Sequence, residues 1–151
     1  MKPNDKSHLT ALNRSVPSVP LQILLRKQLI LNPVLDYGSG KGMDYRTLKS
    51  WGFDAYCYDP YYSPEQPTIK FRCILCTYVL NVVQKPVRPY ILKDIDSLLL
   101  EGGVAYITVT RRKKKPFWTS KGTYQDYVEL DLPIIYQDKY RCIYEYHKNN
   151  K

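Results

Sequence analysis

The residues best placed to do chemistry lie in Val34-Leu35-Asp36-Tyr37-Gly38-Ser39-Gly40-Lys41-Gly42, where glycine takes every second position after an aspartate. Two apolar residues lead into the run. From Asp44 to Trp51, Tyr45, Leu48 and Trp51 then recur at helical spacing. The pattern reads as strand, glycine turn, helix. Glycine permits positive φ there and lets a ligand meet bare backbone. The following helix aims its free N–H groups and the positive end of its dipole at the same spot. Such a loop suits a carboxylate, a phosphate or a ribose. A phosphate-binding P-loop closes on Gly-Lys-Ser/Thr, and here Gly42 is followed by Met43 and Asp44, so that reading fails. A dinucleotide fingerprint starting at Gly38 needs a third glycine at position 43, which Met43 occupies.

A second carboxylate adds to the first. Ala55-Tyr56-Cys57-Tyr58-Asp59 reads as a short strand ending in Asp59. A carboxylate at the end of strand two sits beside the glycine loop and accepts ribose hydroxyls. The plain alternative is an ordinary strand–turn–helix with a surface aspartate. An acidic residue before G-x-G-x-G resembles motif I of the class I methyltransferases, which implies S-adenosylmethionine as the cofactor.

The elements that must position these groups fit one domain, since 151 residues bury a real core but not two. The formal net charge of +9 favours a polyanionic partner, nucleic acid first, against the alternative of a merely basic protein. No long apolar run and no signal-peptide core is present, so a cytoplasmic protein away from membranes is expected. Cys73 and Cys76 form a C-x-x-C pair inside an apolar run, where positions three apart on a strand face opposite sides. Buried reduced thiols are expected there, with no metal.

In chain order, His8 to Arg14 reads as a short arm, helical or extended. A helix starts at Ser18 as N-cap, with Pro20 in its first turn, and runs to Asn32-Pro33. Its apolar face is Leu21, Leu24, Leu25, Gln28 and Leu29. The proline-rich run Pro60 to Pro67 cannot be a regular helix. Phe71–Cys76 reads as a central strand buried on both faces. A helix spans Arg88 to Leu100 with Tyr90, Ile91, Ile95, Leu98 and Leu99 inward, and Gly102-Gly103 ends it. Val104–Thr110 is a β-branched strand. The basic run Arg111-Arg112-Lys113-Lys114-Lys115 and a loop with Trp118 follow. Ile134–Tyr136 and Arg141–Tyr146 form a terminal hairpin. The fold class is α/β, a three-layer sandwich with six strands in order 2-1-3-4-6-5, mostly parallel, the last strand antiparallel.

Taken as a set, Thr10-Ala11 with Arg14, the glycine run, Asp59-Pro60-Tyr61-Tyr62, Tyr78-Val79-Leu80-Asn81-Val82 and Thr119 to Gln125 resemble the methyltransferases associated with DNA phosphorothioation, and related short versions in bacteria and phages. The resemblance implies a Rossmann-like class I fold. A full fold of that kind places a helix, strand three and another helix after Asp59. The dozen residues available cannot hold them, so strand three is expected to be missing.

The resemblance also implies roles. Gly38, Ser39, Gly40 and Gly42 approach the methionine part and ribose of S-adenosylmethionine. Asp36 holds the loop and meets the amino group, Asp59 takes the ribose hydroxyls, and Pro60, Tyr61 and Thr77 complete the cofactor wall, with Tyr61 beside the adenine. Arg14 clamps the cofactor carboxylate or an anionic substrate; a surface ion pair is the alternative. Tyr78 and Asn81 stand where the active site opens and are the catalytic candidates, although Asn81 also suits a cap or turn. Arg111, Arg112 and Lys113 grip phosphates, or form a solvated loop. Trp118 stacks on a base or sits at a core edge, and Tyr124 joins the substrate side. No D/N/S-P-P-Y/F run follows the central strand, which argues against a familiar amino-methylating DNA enzyme. The expected function is methyl transfer to a nucleic-acid or nucleotide-like acceptor. The alternatives are a cofactor-binding partner or regulator without transferase activity, and an enzyme that degrades S-adenosylmethionine.

Overall fold

The computed structural model describes residues 8–9, 11, 15–111, 117–118 and 123–149. Helix α1 (Val19–Arg26) leads into β1 (Val34–Tyr37), α2 (Met43–Ser50), β2 (Ala55–Tyr58) and β3 (Phe71–Thr77). A 3-10 turn at Lys85–Val87 opens α3 (Arg88–Leu98). Then come β4 (Leu99–Thr110), the short strands β5 (Phe117–Trp118) and β6 (Tyr124–Gln125), β7 (Ile134–Gln137) and β8 (Arg141–His147). Six strands form one sheet in the order β2-β1-β3-β4-β8-β7. Counted within that sheet, this is the expected order. The β2, β1, β3 and β4 strands run parallel, and β8 is antiparallel to both β4 and β7. No regular strand lies between Pro60 and Lys70, so the sheet ends at β2 as the short interval required. Strands β5 and β6 pair separately, as a small antiparallel ribbon where a loop was expected.

Side-chain alternation sorts the sheet into two cores. On one face Leu21, Leu24 and Leu48 of α1 and α2 pack on Val34, Leu75, Val104 and Tyr106. On the other, Ile91 and Ile95 of α3 join Val79, Leu80 and Val128 against Leu35, Tyr37, Ile74 and Ile107. The thiols follow this rule: Cys73 lies in the first core and Cys76 in the second, so the two cannot share one ion. All four cysteines are free, and burial pushes the Cys73 thiol up to about 12. Among the described residues no helix is long and apolar enough to cross a membrane.

Ser18 caps α1 as expected: its hydroxyl accepts from the Leu21 N–H and donates to Asp44 Oδ2 at 2.6 Å, tying α1 to the first turn of α2. Three expectations are corrected. Helix α1 stops at Arg26, not near Pro33. Gln28 turns left-handed at φ 57°, and the Leu29 N–H reaches back to the Leu24 carbonyl, closing the helix in a Schellman motif without glycine. Tyr90 is 76% exposed, because Ile91 and Ile95 point α3 inward and the residue before Ile91 turns away. Gly102-Gly103 lies inside β4, not at a helix end. A Cβ on Gly103 would come within 2.9–3.2 Å of the Leu100, Phe71 and Arg72 carbonyl oxygens, so the glycine serves a close backbone approach.

Candidate active site

The glycine loop leaves β1 at the carboxyl end of the sheet. The Gly38 and Ser39 N–H groups both donate to the Tyr58 carbonyl, at 2.7 and 3.0 Å, which fastens the loop to the end of β2. Gly38 has φ 76°, and a Cβ there would stand 2.4 Å from Val79 Cγ2, so the loop presses on the chain leaving β3. Asp59 is buried and acts as the hub. Its Oδ2 accepts the Gly40 N–H at 2.8 Å, and its Oδ1 accepts the Tyr61 and Tyr62 N–H groups at 2.9 and 3.0 Å. Paired Asp59 and Ser63 backbones close the turn that contains Pro60.

Asp36 lies under the loop, 4% exposed, with the Tyr45 N–H bonded to it. Burial, and then the neighbouring carboxylates of Asp44 and Asp59, push its carboxyl well above the usual range. Among the described residues no cation pairs with any of these three carboxylates. A ligand carrying positive charge would balance these carboxylates.

The far wall comes from β3 and β4. Thr77 ends β3 opposite Thr108 of β4. Tyr78 follows in the left-handed region at φ 58°, its N–H donating to the Thr108 carbonyl at 2.9 Å. A non-glycine residue held there costs about 1–2 kcal/mol, and such strain concentrates at functional sites. Asn81 is 1% exposed; its Nδ2 donates to Gln125 Oε1 at 3.0 Å and its carbonyl accepts the Asp126 N–H at 2.7 Å. Ser39 Oγ, Asn81 Oδ1 and Thr108 Oγ1 are buried without a hydrogen-bond partner. Ser39 follows β1, Asn81 lies in the loop after β3, and Thr108 is near the carboxyl end of β4.

The ribbon rests on this wall. Arg88, at the start of α3, pairs with Asp126 and donates from Nε to the Leu80 carbonyl at 3.1 Å. Burial opposes the Asp126 charge, yet the Arg88 hydrogen bond and charge prevail and hold its carboxyl below the usual range. Tyr124 bonds to Asp126 and Arg88, and burial and Asp126 raise its hydroxyl. Trp118 is 63% exposed and stands edge-on to Tyr124 at 5.3 Å, so it is a surface aromatic and not a core edge.

The structure thus brings Asp36, Gly38, Ser39, Gly40, Gly42, Asp59, Pro60 and Tyr61 to one loop system; Thr77 and Tyr78 lie at the end of β3 against Thr108, and Asn81 is bonded to Gln125 and Asp126. It sets Arg111 apart. Its guanidinium donates to the Val128 carbonyl at 2.6 Å and to the Tyr144 hydroxyl at 2.5 Å, and lies over the Tyr127 ring. Expected to grip phosphates, Arg111 is instead spent on anchoring the 123–130 segment, because its stem leaves β4 facing that segment. Arg14, Arg112 and Lys113 lie outside the described residues. Sequence reasoning missed His8, Tyr62, Arg88 and Asp126. Only the order of the quoted runs, which include Tyr62, hinted at them.

The sequence matches the family described as "Methyltransferase domain" over residues 12–132. No curated protein sequence matches it. Among solved structures it is similar to the 1,6-didemethyltoxoflavin-N1-methyltransferase of Burkholderia thailandensis, with bound 1,6-didemethyltoxoflavin and S-adenosylhomocysteine. The TM-score is 0.61 at 15% identity, over 97% of this chain and 80% of that one. It is also similar to the glycopeptide N-methyltransferase MtfA complexed with S-adenosylmethionine, with a TM-score of 0.54 at 9% identity, over 92% of this chain and 70% of that one. At these identities the likeness is one of fold.

Proposed function

The chain belongs to the methyltransferase-domain family, and on that premise we propose that it moves the methyl group of S-adenosylmethionine to a nucleic-acid or nucleotide-like acceptor in the cytoplasm. One observation supports the cofactor's place: Asp36, Asp44 and Asp59 stand close together at the glycine loop with no cation paired to them among the described residues. The solved relatives named above hold S-adenosylmethionine or S-adenosylhomocysteine, which supports the same cofactor here. Its sulfonium supplies an activated methyl. The glycine loop and Asp59 would hold its nucleoside and Asp36 would meet its ammonium, with Tyr78 and Asn81 as the candidates on the acceptor side. In-line displacement at a sulfonium methyl draws much of its acceleration from such positioning.

The acceptor class rests on charge and aromatic exposure. Trp118 is exposed on the ribbon, and the sequence carries Arg112, Lys113, Lys114 and Lys115 between β4 and β5 within a net charge of +9. An exposed tryptophan that follows a basic run in the sequence suits a base and its phosphates. Calorimetry with S-adenosylmethionine tests the cofactor, and a filter-binding titration at two salt concentrations tests the acceptor. Replacing Lys113, Lys114 and Lys115 with Ala should flatten the slope of log affinity against log salt by up to about two units. Weak, salt-independent binding by the unmutated protein would end the nucleic-acid reading.

A further inference from the structure

Strand β2 is the edge of the sheet, because the interval after it carries no further strand. Asp59 and Ser63 pair their backbones instead, and the turn they close stands across from the start of α2. An open cleft of about 340 Å³ lies between the two, within the size range of small-ligand sites. Lys41, Tyr45 and Arg46 line it from the glycine loop and α2, Tyr62 and Ser63 line it from the turn, and Cys57 lines it from β2.

The cleft has a charge of one sign. Lys41 and Arg46 are in its lining, and no carboxylate is. The carboxylates of the flanking elements are engaged elsewhere. Asp44 accepts from the Ser18 N–H and hydroxyl, and Asp59 accepts from the Gly40, Tyr61 and Tyr62 N–H groups. Arg46 is exposed, yet it is held in place. One terminal guanidinium nitrogen donates to the Lys41 carbonyl at 2.8 Å, and the same nitrogen lies 3.0 Å from where a Gly42 side chain would begin. Glycine at 42 thus leaves room for the guanidinium to lie against the loop. Among the described residues no carboxylate pairs with it. A guanidinium has five donors in a planar fork, which matches two oxygens of one phosphate. A fork already fixed at one end loses less freedom when it binds.

The methyl donor does not suit this place. Its sulfonium and ammonium are cations, which Lys41 and Arg46 repel. Its carboxylate travels with the ammonium, toward Asp36. The cofactor reading therefore leaves the cleft unused.

We infer that the cleft between α2 and the 59–63 turn is a phosphate-binding subsite separate from the methyl-donor site. The Arg46 fork takes two phosphate oxygens, and Lys41 balances the remaining charge. A free phosphate compound and the backbone of a nucleic-acid strand share this chemistry, and the test tells them apart.

Cys57 gives a local readout. It is half-buried, while Cys73, Cys76 and Cys142 are buried, so alkylation by iodoacetamide read by peptide mass reports on the cleft. The whole chain is labelled alone, with inorganic pyrophosphate and with a short oligothymidylate. At about ten times its Kd, a ligand that covers the thiol should slow labelling about tenfold. Calorimetry should show Arg46→Gln and Lys41→Gln each weakening pyrophosphate about three- to tenfold. Arg46→Lys should stay weakened, because a point charge does not replace the fork. Lys49→Gln removes the same charge from α2, where Lys49 lies over the Tyr45 ring and outside the lining, and should change affinity by less than about twofold. Lys41 and Arg46 are exposed, so all variants should melt with the unmutated protein. Protection by pyrophosphate alone supports the subsite and assigns it a free phosphate compound. Protection by oligothymidylate supports it and assigns a strand, and losing both cations should then lower the slope of log affinity against log salt by about 1.4. No protection by either probe, equal losses in Lys49→Gln, or displacement of pyrophosphate by saturating S-adenosylhomocysteine would overturn the subsite. Protection in a protein that binds no S-adenosylhomocysteine would leave the subsite standing while the cofactor reading falls.

Discussion

Gly38→Ala separates two costs that glycine avoids at the heart of the loop. The first is conformational. Gly38 sits at φ 76°, and an L-residue forced into that region costs about 1–2 kcal/mol. The second is steric. The new Cβ would stand 2.4 Å from Val79 Cγ2, where carbon atoms rest at about 3.5–4.0 Å. Val79 is 4% exposed and packed in the core beside α3, so it has little room to withdraw. Overpacking of this kind costs about 1–3 kcal/mol. The sum is about 2–5 kcal/mol, a large part of a stability of about 5–15 kcal/mol. Gly52→Ala is the control, at φ 88° with nothing within 4 Å, and should cost only the conformational part, about 1–2 kcal/mol. Urea unfolding of both variants, and of Gly38→Ala combined with Val79→Ala, measures the difference. The double variant should recover about 1–3 kcal/mol relative to additivity, because the methyl that clashes is gone. Equal costs at positions 38 and 52, or an additive cycle, would refute the steric reasoning.

Other outcomes follow from the electrostatics. Asp36 has its folded value raised above the unfolded one, so its contribution to stability is complete below the ordinary carboxylate range and is lost as pH rises through the folded value. Asp36→Asn should therefore raise the melting temperature at neutral pH, with the gain vanishing near pH 4, while weakening cofactor affinity; a gain independent of pH would contradict this account. Asp126 behaves oppositely. Its lowered value gives stability that is present above the unfolded range and lost as pH falls through the folded value. With Arg88 and Asp126 side chains only 12% and 11% exposed, Asp126→Ala strands a cation and should cost about 3–5 kcal/mol in urea unfolding. A loss within the surface-pair range of about 0–1 kcal/mol would show that water reaches the pair.

The parts of the site that follow from backbone chemistry were legible in the sequence. Alternate glycines after Asp36 required a turn with bare backbone, and the dozen residues after Asp59 left no room for another strand and its helices. The sheet order came with the resemblance to the class I methyltransferase fold, less the strand that the interval after Asp59 cannot hold. Features set by tertiary contact were not legible. Gln28 ends α1 in a conformation usually given to glycine, because Leu29 packs back beside Leu24 in the core. Gly103 looks like a helix terminator but answers to the carbonyls of a neighbouring strand. The charge of Arg111 suggested phosphates, while its place beside Val128, Tyr127 and Tyr144 commits it to the fold. The ribbon of β5 and β6 has too few residues to show a period of two.

The position of β8 bears on how the chain is made. The strand synthesised last among the six is not an edge but an inner strand, flanked by β4 and β7. Until Arg141–His147 has left the ribosome, β4 offers an open ladder of seven paired positions, Val104 to Thr110, all but the last buried in the finished protein. At about 5–20 residues per second, that apolar edge stays uncovered for seconds in each round of translation. It is an invitation to pair with another nascent chain. A stop codon in β8 would not trim the protein but remove the strip that seals its core, and the expected product is an aggregate and not a shortened enzyme.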